Sequence, residues 1–352
     1  MAEINLGAFS GMNNIKDSES LFVKKGIAEP RIVLNADVVD TGRAIKRTGK
    51  TSHVTLSNAH SLYADNNCML CAADNTLYQI KHGNATGIDS IDGPANVPLS
   101  YAQAEGVVYM SNLYWRGIFD PSEGTVSDWG VGLPPGPMLT SGSGNLPAGT
   151  YYVCMTNVSG DEISGNGPIQ AIELTSEGGI SISNRPSGAI IWATEANESV
   201  FYRIGTVDTI VNIPTVEPLP CFMCHPPKNK EILCYAFGRM WGSVEGVLYY
   251  SEPYRLGWFK ETSNRFEFES PIAMIARVPT GLFIGMSHKT VFLRGTEPEQ
   301  MQQVDAGAGS IKGTLDYANN LPELGDVLGT PEKGYVDVPM WRTTDGIVAG
   351  ST

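Results

Sequence analysis

One short pattern recurs along this chain: a tight-turn residue, usually beside glycine, followed by a run of apolar and aromatic residues. It occurs as DNTLYQI from Asp74, EGVVYMS from Glu105, EGVLYYS from Glu245, TGLFIGM from Thr280 and DGIVAGS from Asp345. Each copy follows another short apolar run: HSLYADNNCMLCA, VPLSYAQA, EILCYAFGRMWGS, SPIAMIARV and VPMWRTT. Two such runs joined by residues that tolerate a left-handed backbone make a β-hairpin. The copies at Asp74 and Glu105, and those at Glu245 and Thr280, lie about 30–35 residues apart, the scale of repeats built from successive hairpins. The pattern predicts an all-β chain with a β-propeller-like domain. One or two β-sandwiches carrying similar hairpins are the alternative.

Composition agrees with many turns and short strands. There are 39 glycines and 22 prolines in 352 residues, and only 17% of residues are charged. The formal net charge is −13. The densest basic run, Arg43 to Lys50, is short. Sequence-specific nucleic-acid binding needs clustered Lys and Arg to neutralise phosphates, so that class is disfavoured. An acidic wall past which DNA slides without sticking is compatible with this charge. No apolar run reaches membrane-spanning length, and the N-terminus shows no signal-peptide pattern, so synthesis in the cytoplasm is expected.

The repeat is interrupted between Glu105 and Glu245. The gap opens with GVGLPPGPMLTSGSGNLPAG (Gly130 to Gly149), which reads as a linker. Then come TYYVCMTNV, PIQAIEL, GISIS, AIIWAT, VFYRIG and TIVNI, short runs with frequent turn signals. These predict an inserted immunoglobulin- or fibronectin-III-like β-sandwich over residues 146–218. The expected organisation is an N-terminal arm at 1–31, a discontinuous propeller at 32–145 plus 219–352, and the inserted sandwich between its parts.

Cys221-Phe-Met-Cys224-His225 has the C-x-x-C-H spacing of covalent haem attachment. Pro226 and Pro227 follow at once and push the preceding backbone out of the helical region, and no export signal accompanies the motif. Zinc is the second reading, from Cys68, Cys71, Cys221 and Cys224 with His225 and Cys234 nearby. Cys68 and Cys71 read as strand residues three apart, which face opposite ways. Cys68, Cys71, Cys154 and Cys234 are therefore expected to be small buried hydrophobes in strands, with C-F-M-C-H a coincidence in a loop. No cofactor, metal ligand or catalytic residue is nominated. His53, His60, His82, His225 and His288 have no partner pattern, and PSEGTVSDWG lacks the repeated turn of sialidase-type propellers. The candidate interface or ligand loops are NLYWRGIFD and EPYRLGWFK, with Trp115, Arg116 and Phe119 in the first and Tyr254, Arg255, Trp258 and Phe259 in the second. Arg and aromatics dominate interface hot spots and also stack on sugars. Packing between sheets is the competing role for the same side chains.

Several stretches together resemble a group of tailed-bacteriophage virion proteins: GMNNIKDSESLF, LNADVVDTGRAIKRTGKT, AHSLY, LPAGTYYVCMTNVSGDEISGNG, FGRMWGSVEGVLYYSEPYRLGWF, GLFIGMSHKTVFLRG and MWRTTDGIVAG. The resemblance implies that AGTYYV opens the sandwich and LYYSEP ends a blade strand. It implies a non-enzymatic tail hub or nozzle subunit, made in the host cytoplasm and built into the virion tail. Such subunits form a homo-oligomeric ring, here expected to be a hexamer, that extends the DNA channel below the portal and head-to-tail adaptor. Tail fibre or tailspike proteins would be further partners, and DNA would pass the lumen without sequence-specific binding. In such proteins more strands follow the TTDGIVAG position, so the last hairpin is expected to be completed by the N-terminal segment or a neighbouring subunit. The alternatives are a receptor- or glycan-binding tail adhesin and a glycan-cleaving propeller.

Overall fold

The computed structural model describes residues 54–318 and 337–350, together with the backbone of four short strands nearer the N-terminus. The chain divides into two units, residues 1–55 and 56–352. In the first unit, Phe22–Val23 pairs antiparallel with Ile27–Ala28, and Ala36–Val38 with Ala44–Lys46. The rest of the expected arm at 1–31 lies outside the described residues.

The second unit is all-β and antiparallel. Among the described residues there is no α-helix, and no helix is long and apolar enough to cross a membrane. Five meanders follow one another. Sheet A holds Ala59–Ala64, Met69–Ala73, Thr76–Lys81 and Asn84–Ser90. Sheet B holds Ser100–Ala104, Val107–Ser111, Arg116–Asp120 and Thr125–Ser127. Sheet C holds Ile232–Ala236, Arg239–Val244 and Val247–Glu252, the last pairing with both Arg255–Phe259 and Arg265–Glu267. Sheet D holds Ile272–Val278, Gly281–Met286, Lys289–Arg294 and Gln302–Ala308. Sheet E holds Asp316–Ala318, Val338–Arg342 and Ile347–Ala349.

Tight turns make these meanders. Glu105 and Gly106 have φ of 54° and 84°, and Phe237 and Gly238 have 55° and 67°. Two successive positive φ values give the turn whose twist matches that of the strands it joins. The recurrent sequence pattern marks such hairpins, but in no constant phase. It falls on the second strand of sheets B and D and on the third strand of A, C and E. First strands begin at Ala59 and Ser100, then at Ile232, Ile272 and Asp316, so the structural repeat is about 40 residues.

Neighbouring sheets pack face to face in chain order. Leu70, Leu77, Val108 and Phe119 share a core between A and B, and Trp241, Leu248, Ile275 and Leu282 share one between C and D. Met274, Phe283 and Trp341 join D to E. Sheets B and C are separated by the interruption, yet they also share a core, formed by Ala102, Tyr109, Leu233, Met240 and Phe259. First strands lie beside first strands: Tyr101 donates its hydroxyl hydrogen to the Ser61 carbonyl (2.6 Å), and the Leu233 amide donates to Ser100 Oγ (2.9 Å). Sheets stacked through both faces, with first strands adjacent, have the packing order of propeller blades.

The interruption folds as two facing sheets. One has the order Met138–Leu146, Gly178–Ser183, Thr209–Ile210; the other Gln170–Leu174, Gly149–Thr156, Ile190–Thr194, Phe201–Gly205. Leu146, Ile180, Ile182 and Ile210 from the first meet Tyr151, Val153, Met155 and Ile191 from the second. Each apolar run expected inside the interruption is a strand. The Gly/Ser-rich stretch expected as a linker differs, because it carries the nine-residue strand Met138–Leu146. A Cβ on Gly144 would lie 2.7 Å from Gly179 Cα, and one on Gly179 would run into the Ser143 carbonyl oxygen. Those glycines serve a close strand pair rather than flexibility.

Candidate interaction site

The two aromatic loops are built differently from what exposure of every ring would require. In the first, Asn112 Oδ1 accepts from the amides of Tyr114 and Trp115, both at 2.8 Å. This side-chain turn folds the loop back on itself and directs Trp115 inward. Trp115 and Phe119 belong to the core between sheets A and B. The loop exposes Leu113 and Tyr114 instead, which composition did not single out. Arg116 Nη1 donates to Asn229 Oδ1 at 3.1 Å, and Asn229 Nδ2 donates to the Leu113 carbonyl at 3.2 Å. Arg116 thus holds the chain returning from the sandwich onto sheet B.

In the second loop, Phe259 is fully buried and packs edge-on against Trp129, ring centroids 6.0 Å apart. Trp129 donates its indole N–H to the Leu256 carbonyl at 2.9 Å. Trp258 is half-buried and donates to the Ile163 carbonyl at 2.8 Å, which ties sheet C to the sandwich. Tyr254 and Arg255 are the predicted residues that face solvent, Tyr254 being 73% exposed. Tyr254 has φ of 55°, its amide donates to the Gly238 carbonyl (2.7 Å), and its ring lies where a Cβ on Gly238 would be. The Arg255 guanidinium sits 5.3 Å from the Trp258 ring centroid, a cation–π distance. The solvent-facing predicted side chains are therefore Tyr254 and Arg255, a phenol able to stack on a planar or sugar ring and a guanidinium able to pair with an anion.

Sheet C also carries a buried ion pair that the sequence reading missed. Lys230 is 1% exposed; its Nζ lies 3.0 Å from Glu261 Oε1 and 4.0 Å from the Tyr249 ring centroid. Burial pulls the Lys230 ammonium below its usual range despite Glu261. Burial pushes the Glu261 carboxyl up, but Lys230 and Lys228 outweigh it and hold the group below the usual carboxylate range. The Lys230 amide donates to Ser111 Oγ at 2.8 Å, so the pair sits on the seam between sheets B and C.

The C-F-M-C-H segment is an ordered turn at the junction of sandwich and blades. The Cys224 amide donates to the Cys221 carbonyl (3.1 Å) and the Met223 amide to Asn166 Oδ1 (2.6 Å). His225 exchanges backbone hydrogen bonds with Phe259. All six cysteines are free and buried, as expected for Cys68, Cys71, Cys154 and Cys234, and the same holds for Cys221 and Cys224. Among the described residues no three His, Cys, Asp or Glu side chains are grouped to hold a metal ion.

No protein-family model matches the sequence, and no curated protein matches it. Solved structures matched over most of the chain include the AfRom2 CNH domain, at 9% identity and a TM-score of 0.30, covering 89% of this chain and 92% of the other. BBS1N in complex with ARL6DN matches at 10% identity and a TM-score of 0.33, covering 84% and 79%. Saccharomyces cerevisiae Sqt1 matches at 10% identity and a TM-score of 0.24, covering 84% and 98%. Likenesses this low carry no argument about activity or partners.

Proposed function

We propose that this chain is a non-enzymatic structural subunit of a phage tail, a hub or nozzle component that assembles into a ring around the DNA channel. The observation that carries the reading is the splice between sheets B and C. A self-contained two-sheet module leaves the run of meanders, yet the meanders on either side still share one core. That arrangement is compatible with the propeller and inserted immunoglobulin-like sandwich that the sequence resemblance implies. The net charge of −13 suits a wall that does not grip DNA. The subunit would act through geometry and subunit contacts, with the sandwich as an outlying module. Native mass spectrometry and negative-stain imaging of the purified chain, alone and with portal–adaptor complexes, test this. Closed rings, free or on the adaptor, are expected; a monomer that fails to join the adaptor overturns the reading.

The exposure of Tyr254 and Arg255 beside Trp258 favours a second reading, a glycan- or receptor-binding adhesin. A glycan array probed with the wild-type chain and with Tyr254→Ala separates the two. Binding lost in a folded variant supports the adhesin; no binding by wild type removes it.

A further inference from the structure

The Cys221–Cys224 turn serves no role in either reading, and its geometry is specific. A β-turn closed by a hydrogen bond from its fourth amide to its first carbonyl brings the outer Cα atoms within about 7 Å. That hydrogen bond is present between Cys224 and Cys221 at 3.1 Å. A disulfide spans Cα separations of about 4.4–6.8 Å. The two central residues, Phe222 and Met223, face solvent, while both cysteines are fully buried, so the thiols leave the turn on the same inner side. Asn166 holds Met223 at φ of 60°, which fixes the turn in this form. Cys221 Sγ donates to the Ser164 carbonyl at 3.0 Å, whereas Cys224 Sγ has only a long contact of 3.9 Å to the Phe222 carbonyl.

We propose that Cys221 and Cys224 form a reversible dithiol–disulfide site at the sandwich–blade junction, oxidised by a low-molecular-weight disulfide such as glutathione disulfide. Cys224, the less engaged thiol, loses its proton, and its sulfur attacks one sulfur of glutathione disulfide. The glutathione S–S bond breaks, and one glutathione thiolate leaves. Cys221 then loses its proton and attacks the Cys224 sulfur of the mixed disulfide, releasing the second glutathione thiolate. Two electrons pass from the cysteine pair to glutathione, and the two protons are taken up, through solvent, by the two departing glutathione thiolates. Burial pushes Cys221 up to about 12 and Cys224 up to about 11, so both thiols are quiet while the turn is packed and react when it opens. Closing the bond removes the Cys221 proton and with it the hydrogen bond to Ser164, one of the ties between sandwich and blades.

The full chain is incubated with glutathione disulfide, quenched in acid, alkylated under denaturing conditions and mapped by mass spectrometry. One Cys221–Cys224 disulfide with the other four cysteines alkylated, reversed by dithiothreitol, is expected. Six alkylated cysteines overturn the proposal, and so does a bond mapped to Cys154–Cys221, the neighbouring buried thiol. Cys221→Ser keeps a donor for Ser164 and removes the resolving sulfur. It is expected to retain one glutathione on Cys224; failure of the folded variant to gain any overturns the attack by Cys224.

Discussion

Replacing Glu261 by Gln separates the buried ion pair from its packing. Lys230 Nζ is enclosed, 1% exposed, 3.0 Å from the Glu261 carboxylate and 4.0 Å from the Tyr249 ring. Removing one partner of a buried pair leaves an uncompensated charge and costs about 3–5 kcal/mol. The Gln carbonyl and the Tyr249 face retain part of the interaction, which lowers the expectation for E261Q to about 2–3 kcal/mol. Lys230→Met removes the charge that burial penalises and keeps the stem against Gly242. Glu261 then keeps Lys228 Nζ at 2.9 Å and the Lys228 amide at 3.1 Å. The cost of K230M is expected to be no more than about 1.5 kcal/mol. The double variant K230M/E261Q should be more stable than E261Q alone. Urea unfolding followed by tryptophan fluorescence measures the order, and hydrogen exchange of Ser100–Ala104 and Ile232–Ala236 localises it to the seam between sheets B and C. A K230M variant as unstable as E261Q would refute the assignment of the penalty to an unpaired ammonium.

Glu261 also sets a pH dependence. Its folded pKa lies below the ordinary glutamate value of about 4.3, so its stabilisation is complete at neutral pH and is lost as pH falls through that depressed value. Acid unfolding of wild type should therefore show a steeper fall below about pH 4 than E261Q does, as measured by urea midpoints across pH. Gly165→Ala places a Cβ against the Cys224 carbonyl carbon at 2.5 Å, where backbone must move; faster limited proteolysis within 220–228 is the expected readout. Trp129→Ala empties a side chain that is 1% exposed and loses the bond to Leu256, for an expected loss of about 3–5 kcal/mol in urea unfolding. Tyr254→Ala, at 73% exposure, should change stability by less than about 0.5 kcal/mol.

Strand content was readable wherever apolar runs met tight turns, as at Glu105-Gly106 and Phe237-Gly238. Repeat phase was not, because the same turn chemistry closes the first and the second hairpin of a meander. Met138–Leu146 was hidden because close backbone approach and chain flexibility both select glycine, and composition cannot separate them. At the candidate site the sequence located both loops but not the orientation of their rings. Trp115 and Phe119 lie on the buried side of a two-residue alternation, whereas Leu256 and Phe259 are both buried at a spacing of three, so local turns such as that at Asn112 decide which rings face water. Lys230 resembled any surface lysine, since Glu261 is 31 positions from it along the chain and meets it only in the fold.

The shared core of sheets B and C has a consequence for the order in which the molecule is built. The bond from Trp129 to the Leu256 carbonyl joins residues 127 positions apart, and the sandwich is made between them. On a growing chain sheet B is complete in sequence while its partner surface does not yet exist. A long unstructured loop raises the entropy lost when its ends meet, though only logarithmically, whereas a folded sandwich has its Met138 strand and Thr209–Ile210 already in one sheet and acts as a short bridge. The sandwich should therefore become protected first during synthesis or refolding, and Trp129 should remain solvated until sheet C arrives. Pulse-labelling hydrogen exchange on refolding is expected to show Ile190–Thr194 protected before Ser100–Ala104.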